Sequence, residues 1–184
     1  WKPMGAGLPV GVINTLHAEG GNVYAGTNTD GIYRLEGGLW KKFGYGLDGE
    51  SIETISTGAD GKLLAGTRQR GAWYFDHGKD LWIEAINLPV YTVSAVTSAP
   101  TGEIFAGTQG SGVYAFIDNN MDGELDQWRH VAALVVNAVL QDLVKTETGE
   151  LYATTYGYGV LYSNDGGQCC TRMHRGFENL YTYA

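Results

Sequence analysis

The sequence predicts an all-β fold in which a four-stranded antiparallel unit occurs four times. The 184 residues include 28 glycines and 12 tyrosines but only 4 prolines, which is typical of short strands joined by tight turns. The chain also repeats at an almost fixed interval, because Thr27, Thr67, Thr108 and Thr155 are 40, 41 and 47 residues apart. Four-stranded repeats of this length are typical of β-propeller blades.

Each repeat contains the same succession of signals, which we assign to strands a, b, c and d. An alternating run predicts strand a, and a glycine turn leads into strand b, which ends at the threonine. Strand c starts with a glycine four residues later, and strand d carries a tryptophan in the first three repeats. The predicted a strands are residues 12–16, 52–56, 93–96 and 139–143, the turn glycines are Gly21, Gly61, Gly102 and Gly149, and the tryptophans are Trp40, Trp82 and Trp128.

These marked positions have separate structural roles. The turn glycine adopts a positive φ at little cost, as a hairpin between strands a and b requires. The Ala-Gly pair near the end of strand b, as in Ala25-Gly26, is small where neighbouring sheets approach closely. The tryptophan is large enough to fill the wedge between two blades.

The repeats place the blades at residues 10–50, 51–91, 92–137 and 138–179. Residues 1–9 and 180–184 are predicted to be parts of neighbouring blades, because Trp1-Lys2-Pro3 aligns with Trp40-Lys41-Lys42 and 180–184 matches the lead into a strand a. Three arrangements remain open, namely a closed four-bladed ring, a portion of a larger propeller and a self-assembling half. The smooth continuation of the repeat at both ends favours the last two.

Charge and hydropathy exclude two classes of partner. The formal charge is −8 and the 12 Lys and Arg residues are scattered, whereas nucleic-acid binding needs clustered basic residues. No apolar run approaches the roughly 20 residues that cross a bilayer, so no membrane insertion is expected.

The repeat resembles bacterial propeller repeats of the sensor-type, two-component-regulator families and, more distantly, the Asp-box repeats of sialidase-like proteins. The Asp-box pattern Ser-x-Asp-x-Gly-x-x-Trp is matched by Ser163, Asp165 and Gly167, with Cys170 in place of the aromatic residue. In such families the box stabilises the c–d turn, so the resemblance implies a structural role here. It also implies an extracytoplasmic location, either periplasmic or secreted.

An insertion in the third c–d connection, residues 118–126, predicts a structural Ca²⁺ site. Oxygen-bearing side chains occupy loop positions 1, 3, 5 and 9, Gly123 occupies position 6, and Glu124 can offer its carbonyl at position 7. Arg129 stands at position 12, where the longer Ca²⁺ loop has Glu, and the segment resembles the shorter loops of integrin α chains. A solvated acidic hairpin is the alternative. The predicted ligands are Asp118, Asn120, Asp122, Glu124 and Asp126.

The b–c loops are the second candidate site. Their flanking Thr and Gly are constant while the three residues between them vary, and in a propeller these tips lie on one face around the central channel. Arg and Tyr side chains there can bind an anionic or sugar ligand through bidentate hydrogen bonds and ring stacking. Solvated polar loops are the alternative. The candidate residues are Asn28, Asp30, Arg68, Arg70, Gln109, Tyr156 and Tyr158.

The sequence therefore predicts a non-enzymatic binding or sensing scaffold whose partner is a small molecule, a glycan or a protein. The six arginines do not fall into a sialidase arrangement, and the four histidines have neither metal-ligand spacing nor a nucleophile motif. Two alternatives remain, a fragment of a sialidase-like or xyloglucanase-like enzyme and a structural or engineered blade-assembly module. Fold alone does not decide among them.

Overall fold

The computed structural model describes residues 5–58, 61–90, 92–117, 127–132, 138–165 and 170–173. Their strands form four separate antiparallel sheets, each with four consecutive strands in chain order, so the predicted all-β fold of four-stranded repeats is confirmed. We number these sheets blades 1 to 4. The strands are β1 (Ile13–Glu19), β2 (Asn22–Thr27), β3 (Ile32–Glu36) and β4 (Leu39–Lys42) in blade 1; β5 (Ile52–Thr57), β6 (Leu63–Thr67), β7 (Ala72–Asp76) and β8 (Leu81–Glu84) in blade 2; β9 (Val93–Ser98), β10 (Ile104–Thr108), β11 (Val113–Ile117) and β12 (Gln127–Ala132) in blade 3; and β13 (Val139–Lys145), β14 (Leu151–Tyr156), β15 (Gly159–Ser163) and β16 (Thr171–Met173) in blade 4.

The turn glycines adopt the backbone conformation that the sequence predicts. Gly21, Gly61, Gly102 and Gly149 have φ values of +81°, +79°, +94° and +98°. Other residues are strained in this left-handed region, so the glycine fixes where strand a ends and strand b begins.

The small residue near the end of strand b lies where two blades meet. A Cβ atom added to Gly26 would come within 2.7 Å of the Cγ2 atom of Ile52, and one added to Gly66 within 2.6 Å of the carbonyl oxygen of Val93. Blade 4 has Thr154 at the equivalent position, and its buried hydroxyl oxygen has no hydrogen-bond partner among the described residues. The first three blades thus pack against the next blade through a glycine, whereas blade 4 has a threonine at this position.

Among the described residues, three of the four clusters of buried apolar side chains form layers between consecutive blades, and the fourth packs Tyr33 and Trp40 of blade 1 against Leu8. One layer joins blades 1 and 2 and includes Tyr24, Ile32, Ile55 and Trp73; two further layers join blades 2 and 3 and blades 3 and 4. The strand d tryptophans also connect blades through their indole nitrogens. Trp82 Nε1 donates to the Phe43 carbonyl at 3.2 Å, and Trp128 Nε1 donates to the Ala85 carbonyl at 3.0 Å.

Residues 5–7 contact blade 1 in the same way that the connection 44–46 contacts blade 2. Ala6 forms a parallel bridge with Leu39, as Tyr45 does with Leu81. The backbone N–H of Trp40 donates to the Ala6 carbonyl at 2.8 Å, matching the bond from Trp82 to Tyr45. In the described ranges no helix is long and apolar enough to cross a membrane.

Candidate functional site: the channel between the inner strands

The first strands of the four blades lie side by side and line a polar cavity. Strand β1 contacts β5, β5 contacts β9, and β9 contacts β13, and we call these four the inner strands. The cavity between them has a volume of about 490 Å³, and we call it the channel cavity. Its lining residues are Asn14, Thr15, Leu16, Glu53, Thr54, Ser94, Gln109, Gln141 and Asp142.

A β-bulge in each inner strand turns one polar side chain toward this cavity. The pairing register shifts once between each inner strand and its neighbour, because one extra residue stands in the inner strand. Bulges commonly re-aim a side chain next to a functional site. The four extra residues all line the channel cavity, and they are Asn14, Glu53, Ser94 and Gln141.

Side-chain hydrogen bonds join the inner strands to one another. Asn14 Nδ2 donates to the carbonyl of Ile52 at 3.0 Å, and Ser94 Oγ donates to the carbonyl of Leu140 at 2.6 Å. Ser56 Oγ likewise donates across from β5 to β9 at 2.6 Å. Two of the bulged residues therefore use their donors to hold neighbouring blades together.

The channel cavity contains two carboxylates in different surroundings. Glu53 is mostly buried, and its Oε1 accepts bonds from Arg68 Nε at 2.8 Å and from Ser51 Oγ at 3.2 Å. Asp142 is exposed, and its Oδ1 accepts the backbone N–H of Leu143 at 2.8 Å. Arg68 thus compensates Glu53, whereas the described residues supply no ion pair to Asp142.

The first residue of each b–c loop lies next to the inner strand of its own blade. Asn28 Oδ1 accepts the backbone N–H of Val12 at 3.2 Å, and Gln109 lines the channel cavity. Arg68 reaches Glu53, and Tyr156 pairs with Val139 of the inner strand β13. Of the seven loop residues predicted from sequence, these four therefore lie at or near the inner strands.

The third residue of each b–c loop instead contacts strand d of its own blade. Asp30 forms an ion pair with Lys42 at 2.9 Å, and Arg70 forms one with Glu84 at 2.9 Å, so the charges are reversed between blades 1 and 2. In blade 4 the guanidinium of Arg172 lies 4.9 Å from the ring centre of Tyr158. The contact in blade 3 is a bond from His130 Nε2 to the Ser111 carbonyl at 2.9 Å.

These contacts give the predicted residues Asp30, Arg70 and Tyr158 a role in fastening the loop. A hydrogen bond from Tyr33, and then one from Lys42, hold the pKa of Asp30 below its ordinary value, so its carboxylate stays charged. Arg70 also stacks on the Trp73 ring and lines a crevice of about 200 Å³ between the b–c loop of blade 2 and the connection that leads to blade 3. The seven predicted residues therefore fall into two sets with different neighbours.

The constant threonine of each b–c loop closes the loop from inside. Thr67 is fully buried; its hydroxyl donates to the Gly71 carbonyl at 3.0 Å and accepts the Arg70 N–H at 2.9 Å. The corresponding threonines of the other blades are equally buried and make the same bond to the glycine carbonyl, at 2.9, 2.7 and 2.8 Å. The pair of Thr and Gly therefore fixes the loop while its tip varies.

Sequence reasoning did not identify the bulged residues. The signal is present once the repeats are aligned, because each polar residue directly follows a buried or partly buried apolar residue near the start of strand a, in Ile13-Asn14, Ile52-Glu53, Val93-Ser94 and Leu140-Gln141. In a regular strand such a residue would simply be on the solvent side. The register shift that turns it toward the channel is visible only in the sheet.

Two predictions concern residues that are wholly or partly outside the described ranges. The proposed Ca²⁺ ligands, residues 118–126, are outside them, and the described residues contain no group of three or more His, Cys, Asp or Glu that could hold a metal. In the segment that resembles an Asp-box, Ser163 Oγ donates to Asp165 Oδ1 at 2.7 Å, and Gly167 is outside the described residues.

Comparisons with known proteins support the fold. A scan against protein-family models and a search of curated proteins each gave no match. The chain is similar to the extracellular domain of BT4673 from B. thetaiotaomicron, which is assigned to a hybrid two-component system; the TM-score is 0.67 and the identity 19%, over 88% of this chain and 22% of that one. It is also similar to YCF48 bound to D1 peptide, with a TM-score of 0.64 and 19% identity over 92% of this chain and 55% of that one.

A streptogramin B lyase structure gives a TM-score of 0.68 at 15% identity, over 89% of this chain and 55% of that chain. The chain therefore spans between 22% and 55% of the length of these proteins. Together with the four four-stranded sheets, the likeness defines the fold as a set of β-propeller blades.

Proposed function

We propose that this chain is a non-enzymatic ligand-binding or sensing module whose binding site is the channel cavity. The observation that carries the proposal is the convergence of four bulged polar side chains, one from each blade, on a single cavity of about 490 Å³. Binding sites are concave and hold a few convergent polar groups, and bulges re-aim side chains at such sites.

Two of the similar proteins fit a binding or sensing role. One is the extracellular domain of a two-component system, and another is a structure with a bound peptide. We extend both features to this chain as a proposal, with an extracytoplasmic location and with a peptide, a glycan or a small molecule as the ligand class. We also propose that the 118–126 loop binds a structural Ca²⁺, which its spacing of oxygen-bearing residues supports.

The experiment compares one double variant, in which both channel glutamines are replaced, with a matched control. Gln109→Ala and Gln141→Ala remove amides that line the channel cavity, and neither side chain hydrogen-bonds to any other described residue. Gln69→Ala makes the same kind of change on a b–c loop, but in the crevice beside the connection from blade 2 to blade 3. All variants and the wild type are screened by peptide array, glycan array and thermal shift with a metabolite panel.

We expect a ligand that binds the wild type and the Gln69→Ala variant equally and that binds the channel double variant about tenfold more weakly, as the loss of two hydrogen bonds predicts. A ligand held equally by all three would place the binding site elsewhere. Turnover of any glycan by the chain would contradict the non-enzymatic assignment.

A further inference from the structure

The hydrogen-bonding groups of the channel cavity are unequally used. The Asn14 amide nitrogen donates to Ser51 Oγ and to the Ile52 carbonyl, and the Ser94 hydroxyl donates to the Leu140 carbonyl. These donors are therefore already committed to the contacts between inner strands. A ligand entering the cavity does not find them free.

The amides of Gln109 and Gln141 in the lining offer both donors and acceptors, whereas the free atoms of three other side chains are acceptors only. The amide oxygen of Asn14, Oε2 of Glu53 and Oδ2 of Asp142 accept no hydrogen bond from a described residue. Every hydrogen bond between these side chains and a described residue uses another atom. Asn14 and Asp142 are exposed and Glu53 is partly buried, so these acceptors can exchange solvent for the donors of a ligand. A ligand rich in donors would therefore fit these three positions.

The charge of the cavity points to the same kind of ligand. Its lining includes Glu53 and Asp142 but no Lys, Arg or His. Arg68 compensates Glu53 from outside the lining, whereas the described ranges supply no cation to Asp142. In a concave site, an uncompensated carboxylate raises the local concentration of cations, and the formal charge of −8 on the whole chain acts in the same sense.

We infer that the channel cavity binds a ligand through an ammonium or guanidinium group. Lysine ammonium offers three donors and arginine guanidinium five, and neither has an acceptor, so each matches the free acceptors of Asn14, Glu53 and Asp142. The exposed side chain of Leu16, which also lines the cavity, can contact the aliphatic part of such a group. This inference rests on the proposed function, since it names the chemistry of the ligand for the same cavity.

The test uses four probes and one matched pair of variants. The probes are acetyl-Gly-Lys-Gly-amide, its Gln counterpart, spermidine and CaCl₂, each titrated calorimetrically into the full chain at low and at moderate salt. Asp142→Asn keeps the oxygen that accepts the Leu143 N–H and removes the charge. Glu147→Gln removes the same charge from the exposed hairpin that follows β13, outside the cavity lining.

We expect the lysine peptide to bind the wild type and the Glu147→Gln variant equally, and to bind Asp142→Asn about ten- to a hundredfold more weakly, with less dependence on salt. The Gln peptide should bind at least tenfold more weakly than the lysine peptide. If spermidine also binds and depends on Asp142 in the same way, the inference is supported and the ligand is a free amine. If only the lysine peptide binds, the ligand is a polypeptide.

Three results would overturn the inference. The first is that neither the lysine peptide nor spermidine binds the wild type. The second is that the lysine peptide binds both variants equally. The third is that Ca²⁺ is the only probe that binds and that its binding depends on Asp142. If a neutral or acidic ligand is lost in the Gln109→Ala, Gln141→Ala variant but not in Asp142→Asn, the cavity remains the binding site and only its ligand chemistry is wrong. If no ligand responds to the glutamine variants, the proposed site fails as well.

Discussion

At the scale of single residues, the constant threonine at the end of strand b is a buried hydrogen-bonding group. Thr67 is fully buried, and its hydroxyl bridges the Gly71 carbonyl and the Arg70 N–H. Because both bonds lie within one loop, they set the loop conformation independently of the residues at its tip. The scaffold can therefore keep Thr and Gly while the tip residues differ in every blade.

Replacing this hydroxyl by a methyl group should destabilise the protein. Thr67→Val has nearly the same shape but leaves the Arg70 N–H without its partner, so we expect the free energy of unfolding to fall by about 1–3 kcal/mol. The measurement is urea unfolding followed by tryptophan fluorescence. Thr97→Val makes the same change on β9, where no hydrogen bond of the hydroxyl to a described residue is recorded, and should cost less than about 0.5 kcal/mol.

At the scale of the elements, side chains of the inner strands supply contacts that their backbones do not. The strand ladders run within each sheet, and an isolated bridge joins Gln109 of blade 3 to Val139 of blade 4. Side-chain bonds from Asn14, Ser56 and Ser94, in contrast, run from one inner strand to the next. His17 adds another such contact, with its Nε2 2.7 Å from Thr57 Oγ1 on β5. The relative position of two blades therefore depends on a few polar side chains as well as on the apolar layer.

The contact of His17 predicts a loss of stability as the pH falls. Burial lowers the pKa of His17 below its ordinary 6.5, although Glu19 acts in the opposite direction. The unfolded chain therefore takes up a proton at a higher pH than the folded chain does. As the pH falls through about 6.5 the unfolded state gains protons first, so the free energy of unfolding decreases in this window.

We expect urea unfolding at pH 7.5 and pH 5.5 to show a larger decrease for the wild type than for His17→Gln. Glutamine can keep the hydrogen bond to Thr57 but does not titrate, and the other histidines are common to both proteins. Equal decreases in the two proteins would mean that protonation of His17 is not linked to folding.

At the scale of the whole molecule, the four sheets act as layers that each need a neighbour. Most core residues lie between consecutive blades, as Ile55, Val96 and Leu143 do with exposures of 6%, 3% and 3%. The equivalent residue of blade 1, Leu16, is 65% exposed. Burial of this position therefore depends on the arrangement of blades and not on the strand itself.

The proposed Ca²⁺ loop belongs to this scale, because its insertion distinguishes one blade from the others. If residues 118–126 bind Ca²⁺, calcium should raise the Tm of the chain and EDTA should reverse the rise, since a ligand at about 100 times its Kd stabilises by about 2.7 kcal/mol. Differential scanning calorimetry measures the shift.

The variant Asp118→Asn, Asp122→Asn should lose the calcium-dependent rise in Tm. Asp76→Asn, Asp80→Asn removes two carboxylates from the shorter c–d hairpin of blade 2 and should keep it. A Tm that is independent of calcium in the wild type would identify the segment as a solvated acidic hairpin.

The amino-acid sequence by itself determined the number of repeats, their four strands and the turns between them. These features depend on local signals, such as the positive φ of Gly21 and the alternation of strand a, and each repeats about every 40 residues. The sequence also identified loop tips that differ on a constant frame, including Arg68 and Gln109.

The tertiary structure decided which polar residues share a cavity. Gln109 and Gln141 lie in one channel lining, whereas Asp30 and Arg70 pair with strand d of their own blades. The reason is that a bulge changes the direction of one side chain without changing the pattern of apolar residues, and the curvature of four packed sheets brings distant bulges together. Both depend on pairing and packing between segments far apart in the chain, which no local pattern records.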